Sequence, residues 1–157
     1  MLNYIAPSTV EEVARILAEA PGTAKVLSGG TDLLVQLRSG RVKPDLIVDI
    51  KKIPGISGIR ERDGGFVIGA STPGAVIGEC QTLQRAWPGV VEAANLIGST
   101  QVQGRASLAG NLCNASPAAD SVPALIAARA TCLVAGPKER REVPVERIAT
   151  GPVRGIF

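Results

Sequence analysis

The chain has 157 residues, 45% of them hydrophobic and 20% charged, with a net charge of +3 and no histidine. That length buries roughly 70% of the unfolded chain's surface, enough for one core or two small lobes, and no window approaches the ~20 uninterrupted apolar residues of a membrane-spanning helix. Lacking histidine, the chain cannot run Ser-His-Asp or Cys-His catalysis; with Cys80, Cys113 and Cys132 widely spaced, it builds neither a disulfide framework nor a zinc or iron-sulfur centre by itself.

In chain order, Met1 to Pro7 shows no basic region, apolar core and cleavage site of a secretory signal, so a cytoplasmic setting is expected. Ser8 and Glu11 have capping-box spacing, and Val10, Val13, Ile16, Leu17 and Ala20 recur at helical intervals until Pro21-Gly22, which predicts a helix with a clean stop. Ala24 to Leu27 reads as a short buried strand that runs through Ser28-Gly29-Gly30-Thr31-Asp32 into a second helix, Leu33 to Leu37. Leu46 to Ile50 is a further strand. Residues 1–52 are thus expected to form a small α/β lobe whose strands, separated by helices, pair in parallel.

Pro54-Gly55 marks a break, and residues 53–157 are expected to form a second, larger α+β lobe. It opens with a hairpin around Asp63-Gly64-Gly65, followed by a helix capped at Thr72-Pro73 and another after Trp87-Pro88, with Val90, Val91, Ala94 and Ile97 on one face. Residues 98–119, crowded with Gly, Ser, Asn, Gln and Ala, show no period and read as an irregular stretch of the kind usually kept for function. Asp120 stands where it would cap a helix from Ser121 to Arg129, and Thr131 to Ala135 with Glu142 to Val145 predict a second hairpin around Gly136-Pro137. Basic residues between Lys138 and Arg147 alternate with Glu139, Glu142 and Glu146, the pattern of a solvated face. Aromatic residues are too scattered for a base-stacking platform, so no nucleic-acid partner is expected.

Two glycine-rich segments carry the functional signal. In Val26-Leu27-Ser28-Gly29-Gly30-Thr31-Asp32-Leu33, paired glycines at a strand-to-helix turn let backbone N–H groups approach a phosphate, and the helix start favours negative charge. A plain turn would also accept Gly-Gly, and the segment is neither a P-loop nor a Rossmann fingerprint. The second segment, Gln101 to Ser121, sets short polar groups beside small residues, suited to wrapping a polar cofactor or to forming a surface loop. Within it Cys113 reads as a packing residue rather than a reactive thiol.

Together, Ser28-Gly29-Gly30-Thr31-Asp32-Leu33 and Ala109-Gly110-Asn111-Leu112-Cys113-Asn114-Ala115-Ser116-Pro117-Ala118-Ala119-Asp120 closely resemble the FAD-binding subunit or domain of molybdenum hydroxylases, the family of xanthine dehydrogenase and the carbon monoxide dehydrogenase medium subunit. The resemblance covers nearly the whole chain and implies an α+β, two-lobed FAD domain of the PCMH type. It implies that Val26, Leu27, Ser28, Gly29, Gly30, Thr31, Asp32 and Leu33 line the cofactor, with the pyrophosphate on the Gly29-Gly30 turn. Ser107 and Asp120 are implied as further contacts, and Gly110 and Asn111 as close-approach positions; Asp120 also has a lesser reading as a helix cap, and both roles can coexist. The family's electron route implies iron-sulfur and molybdenum-cofactor subunits as partners and NAD or another molecule as acceptor.

Three expectations accompany the resemblance. Valine at Gly29 or Gly30 is expected to remove FAD binding while leaving the fold largely intact. Gln103-Gly104 and Ala109 depart from the family's Arg-Asn pair and second-motif glycine, which predicts looser FAD binding. The ending after Thr150-Gly151-Pro152 predicts a chain that lacks the family's C-terminal domain, is inactive alone and holds FAD weakly; the alternative is a residual scaffold without functional flavin, and a self-contained flavin oxidase is disfavoured.

Overall fold

A computed structural model describes residues 1–151 together with 154 and 155. Its first layer joins β1 (Asn3–Ile5), β2 (Ala24–Leu27) and β3 (Leu46–Asp49) in a parallel sheet of order β1-β3-β2. Helix α1 (Val10–Glu19) connects β1 to β2, and α2 (Leu33–Arg38) connects β2 to β3, so the expected parallel pairing is observed. Strand β3 is central and apolar up to its last residue for that reason: Ile47 and Val48 are buried, as is the Asp49 that closes it. Val13 from α1 packs with Val48, Ile50 and Ile53, flanked by Ile5, Val10, Ile16 and Ile56.

One strand goes beyond the sequence reading, and two expectations change. The three-residue strand β1 ends two residues before Pro7, too short to show an alternating pattern in the sequence. Strand β2 lies at the sheet edge rather than buried inside it, leaving Lys25 and Val26 exposed. The cap of α1 is Thr9, whose hydroxyl accepts the Glu12 N–H at 3.2 Å, while the Glu12 carboxylate accepts the Ser8 N–H at 3.1 Å. Glu11 is thereby free to pair with Arg140 from the far end of the chain.

Beyond the sheet, β4 (Ile59–Arg62) and β5 (Gly65–Ile68) form the expected hairpin. Asp63 and Gly64 turn it with positive φ at both positions (52° and 75°), the geometry that matches strand twist in two-residue loops. Helices α3 (Gly74–Glu79), α4 (Gln81–Ala86) and α5 (Pro88–Asn95) follow. Ile77, Leu83, Val90, Val91, Ala94 and Ile97 from this region make a core cluster with Ala106 and Leu108, against which Ile59, Phe66 and Ile68 of the hairpin pack. Thr72 does not cap α3. Its hydroxyl is fully buried, accepts the Gly58 N–H at 2.9 Å and donates to the Gly58 carbonyl at 3.0 Å, pinning residues 56–58 against 69–72.

The stretch 98–119 is not irregular throughout: it contains α6 (Thr100–Gln103) and α7 (Leu108–Asn114), both too short for a helical period to register in sequence. Ser107 caps α7 by accepting the Gly110 N–H at 3.1 Å, and Ala115 ends it at φ 49°, a left-handed conformation costly for a non-glycine residue. Helix α8 (Ser121–Ala127) begins after Asp120, which is itself helical (φ −55°, ψ −36°) and makes no side-chain cap bond. A helical backbone at that position turns the side chain away from the free N–H groups, so the expected cap is absent. Hairpin β6 (Thr131–Ala135) and β7 (Arg140–Pro144) closes a third cluster of Leu112, Val143, Val145 and Ile148. A 3-10 turn (Val145–Arg147) leads to β8 (Ala149–Gly151), which pairs with β9 (Arg154–Gly155).

A parallel sheet with its helices, joined to antiparallel hairpins and a helical cluster, is the α+β architecture expected. Among the described residues no helix is long and apolar enough to cross a membrane, and no group of three or more His, Cys, Asp or Glu side chains is placed to hold a metal ion.

Replacing Thr72 by valine keeps the shape, leaves the Gly58 N–H without its partner and takes from the Gly58 carbonyl one of its two donors, the other being the Gly69 N–H. The expected loss of stability is about 1–3 kcal/mol, read as a lower urea midpoint with an unchanged slope. A midpoint equal to the parent's would contradict the pinning role.

Candidate functional site

Strand β2 delivers the chain into the turn Ser28-Gly29-Gly30-Thr31-Asp32, and α2 leaves it. Gly30 holds φ +81°, which an L side chain adopts only with strain. The turn is closed on the helix side by the Leu34 N–H to the Gly30 carbonyl at 3.0 Å and the Gln36 N–H to the Asp32 carbonyl at 2.9 Å. Among the described residues, the N–H groups of Gly29, Gly30, Thr31 and Asp32 meet no protein acceptor. Consecutive free donors on a partly exposed turn are the complement of an anionic, multi-oxygen group such as a diphosphate.

The second segment comes directly against this turn. A Cβ on Gly29 would lie 1.9 Å from the Arg105 carbonyl oxygen and 2.7 Å from its carbon, so the glycine is needed for contact between the two segments. Ser28 Oγ is 2.8 Å from Ser71 Oγ and 3.4 Å from Ser107 Oγ. Ser107 is buried, and the Gly74 N–H to the Ala106 carbonyl (2.8 Å) fixes the residue before it. Farther along, Gln36 Nε2 donates to Asn114 Oδ1 at 3.2 Å, tying α2 to the end of α7.

Ser28, Gly29, Ser107 and Gly110 therefore converge on one junction, with Gly30, Thr31 and Asp32 beside it. Leu27 precedes the turn and its carbonyl accepts the Ile50 N–H at 3.1 Å; Val26 is 42% exposed on the edge strand, and Leu33 begins α2 half-buried. Asn111 faces another direction: its Oδ1 accepts from Ser121 Oγ at 2.7 Å and from the Ser121 N–H at 3.4 Å, which holds the start of α8. Asp120 is exposed next to that contact.

Four residues at the junction escape sequence reasoning: Ser71, Tyr4, Asp49 and Lys51. Asp49 ends the central strand with only 6% of its surface exposed. Tyr4 Oη donates to its Oδ2 at 2.7 Å, and Lys51 donates to its Oδ1 from the backbone at 2.9 Å and from Nζ at 2.8 Å. The same Nζ donates to the Ser28 carbonyl at 3.2 Å. Desolvation acts to raise the Asp49 carboxyl, but the hydrogen bonds from Lys51 and Tyr4 outweigh it and hold the carboxyl below its ordinary value of 3.8. A polar residue closing an apolar strand, Leu46-Ile47-Val48-Asp49, is the one sequence signal for it.

The thiol nearest in sequence to the second segment's polar groups is not set up as a nucleophile. Cys113 keeps some accessible surface, yet loss of hydration by the protein around it, with a smaller effect from Cys132, raises it to about 11, so it stays protonated near neutrality.

Two predictions follow from this geometry. Gly29→Ala drives a Cβ into the Arg105 backbone, which cannot swing aside as a side-chain tip would, so it is expected to destabilise the fold by about 1–3 kcal/mol. That corrects the expectation of an intact fold for Gly29→Val. Gly30→Ala costs about 1–2 kcal/mol from its φ alone; denaturant midpoints equal to the parent's in both variants would refute the close approach. In addition, a carboxyl with a depressed folded pKa contributes stability present above its unfolded value and lost as pH falls through the folded one. Acidifying the protein below pH 3.8 is expected to lower its melting temperature more steeply than that of Asp49→Asn, and parallel curves would contradict the network.

Comparison with known proteins identifies the family. The family described as FAD binding domain in molybdopterin dehydrogenase matches residues 1–155. The carbon monoxide dehydrogenase medium chain of Hydrogenophaga pseudoflava is 34% identical over 95% of this chain and 52% of its own length. The xanthine dehydrogenase FAD-binding subunit of Escherichia coli O157:H7 is 33% identical over 96% and 51%. A solved carbon monoxide dehydrogenase structure from H. pseudoflava superposes with a TM-score of 0.94 at 32% identity, over 99% of this chain and 54% of that one. The chain thus spans about half the length of the relatives it matches. It belongs to the family of FAD binding domains in molybdopterin dehydrogenases, whose cofactor is FAD.

Proposed function

We propose that this chain binds FAD as part of the flavoprotein subunit of a molybdenum-hydroxylase-type dehydrogenase and serves electron transfer within that assembly. The observation that carries this reading is the row of free N–H donors from Gly29 to Asp32 set against Ser107 of the second segment. In this reading those N–H groups hold the FAD pyrophosphate, and Val26, Leu27, Ser28 and Leu33 flank it. Ser107 and Gly110 bound the same space from the second segment, while Asn111 acts by fixing α8 and Asp120 reaches the cofactor as an exposed carboxylate. Residues 1–52 and 53–157 would act as two lobes sharing one ligand.

FAD supplies the redox centre when bound, and the chain's own residues bind and orient it. The chain has no histidine to move a proton, and burial keeps the Cys113 thiol protonated near neutrality. Relatives include a medium chain of carbon monoxide dehydrogenase and an alpha subunit of a 6-hydroxypseudooxynicotine dehydrogenase complex. On that basis we assign an iron-sulfur subunit and a molybdenum-cofactor subunit as partners, NAD or another molecule as the acceptor, and the cytoplasm as the setting.

The test is FAD titration of the purified protein, followed by flavin absorbance. Saturable binding is expected, and Asp120→Ala is expected to weaken it with a stability change within about 0.5 kcal/mol, because the side chain is exposed and caps nothing. No saturable binding in the parent would refute the function; an unchanged dissociation constant in the variant would remove Asp120 from the site.

A further inference from the structure

The Asp49-Lys51 pair lies outside both glycine-rich segments, yet its ammonium rests on the carbonyl that opens the first turn. We propose that Lys51, anchored by Asp49 and Tyr4, is a positioning residue that aims the Gly29 N–H at the diphosphate of the bound dinucleotide. The inference deepens the proposed function and rests on its assignment of the pyrophosphate to this turn.

The peptide joining Ser28 to Gly29 is trans, so its carbonyl and its N–H point in opposite directions. Lys51 Nζ holds the carbonyl at 3.2 Å and so fixes the direction of the N–H at the opposite edge of the same peptide plane. That N–H is one of those without a protein acceptor. A glycine peptide has the widest choice of orientations of any in the chain, and a turn whose donors must converge on one anion needs that choice removed before the ligand arrives. A charged donor on the carbonyl also polarises the amide, making its N–H a stronger donor.

Lys51 can hold this position because it is held in turn. Its Nζ is 2.8 Å from Asp49 Oδ1 and its own N–H is 2.9 Å from the same oxygen. The carboxylate's other oxygen takes the Tyr4 hydroxyl at 2.7 Å. The Asp49 side chain is 9% exposed and the Lys51 side chain 34%, so the pair is sheltered from the screening that empties most surface ion pairs of effect. The chain of contacts runs from β1 through the end of β3 to the turn after β2, linking all three strands of the sheet to one peptide.

The experiment compares the parent protein with Lys51→Met and Lys51→Arg, measuring dissociation constants for FAD and for adenosine diphosphate, the melting temperature, and the Gly29 amide resonance in ligand-free protein. Lys51→Met is expected to weaken FAD and adenosine diphosphate by the same factor, about tenfold, the effect of one charge-assisted hydrogen bond. It should also shift the Gly29 amide signal before any ligand is added. Lys51→Arg, which keeps a cationic donor, should recover most of the affinity. FAD affinity within twofold of the parent in Lys51→Met, or a tenfold loss with no Gly29 shift, would overturn the proposal. If Lys51→Met melts early, the Arg variant decides: parent-like melting with parent-like Gly29 signal and affinity supports it, and parent-like melting with the affinity lost overturns it. A parent that binds neither FAD nor adenosine diphosphate would instead sink the pyrophosphate assignment itself.

Discussion

A backbone carbonyl can approach an α-carbon as closely as Arg105 approaches Gly29 only where no Cβ intervenes. That contact sets the spacing of everything around the junction. It brings Ser28 within reach of both Ser71 and Ser107, lets Ser107 start α7 where it does, and leaves the N–H groups of Gly29 to Asp32 without a protein partner among the described residues. A methyl group at residue 29 would separate the segments by more than the hydrogen bonds across them can span. The glycine's first task is therefore contact between parts of the protein, and its openness to a ligand comes second.

Around that contact the chain divides its apolar residues into three clusters, built on the parallel sheet, the α3 to α5 region and the β6-β7 hairpin. None is large. What joins the first to the second, at the places described above, is polar: hydroxyls on hydroxyls, an amide on Asn114, a threonine bridging both groups of Gly58. Hydrogen bonds add direction where dispersion does not, and a cofactor site needs its donors aimed as well as near.

Much of this was legible in the sequence. The parallel pairing and both hairpins could be read because glycine pairs, proline stops and apolar spacing are local signals, and the FAD family because two motifs together resemble it. What could not be read depends on contacts distant in sequence. Thr72 looks like a helix cap until Gly58, fourteen positions earlier, is seen to occupy its hydroxyl. Asp120 looks like a cap until its own backbone proves helical. Helices α6 and α7 have four and seven residues, fewer than a period needs to show itself. Asp49 and Lys51 carry no motif, and only the fold brings them to Ser28.

The polar character of the junction bears on how the molecule responds to heat. Unfolding a cluster of aliphatic side chains exposes surface with a large positive heat capacity, so its free energy is strongly curved with temperature. Parting hydroxyls and carbonyls at the junction exposes little such surface. The cost of opening there stays nearly flat across the temperatures at which the clusters gain and lose much of their strength, and it responds weakly to urea for the same reason. Amide exchange at Gly74 and Gly110, whose N–H groups are bonded to Ala106 and Ser107 at the junction, would then proceed through small openings of weak temperature dependence, while amides in β3 and α5 would wait for the collective event.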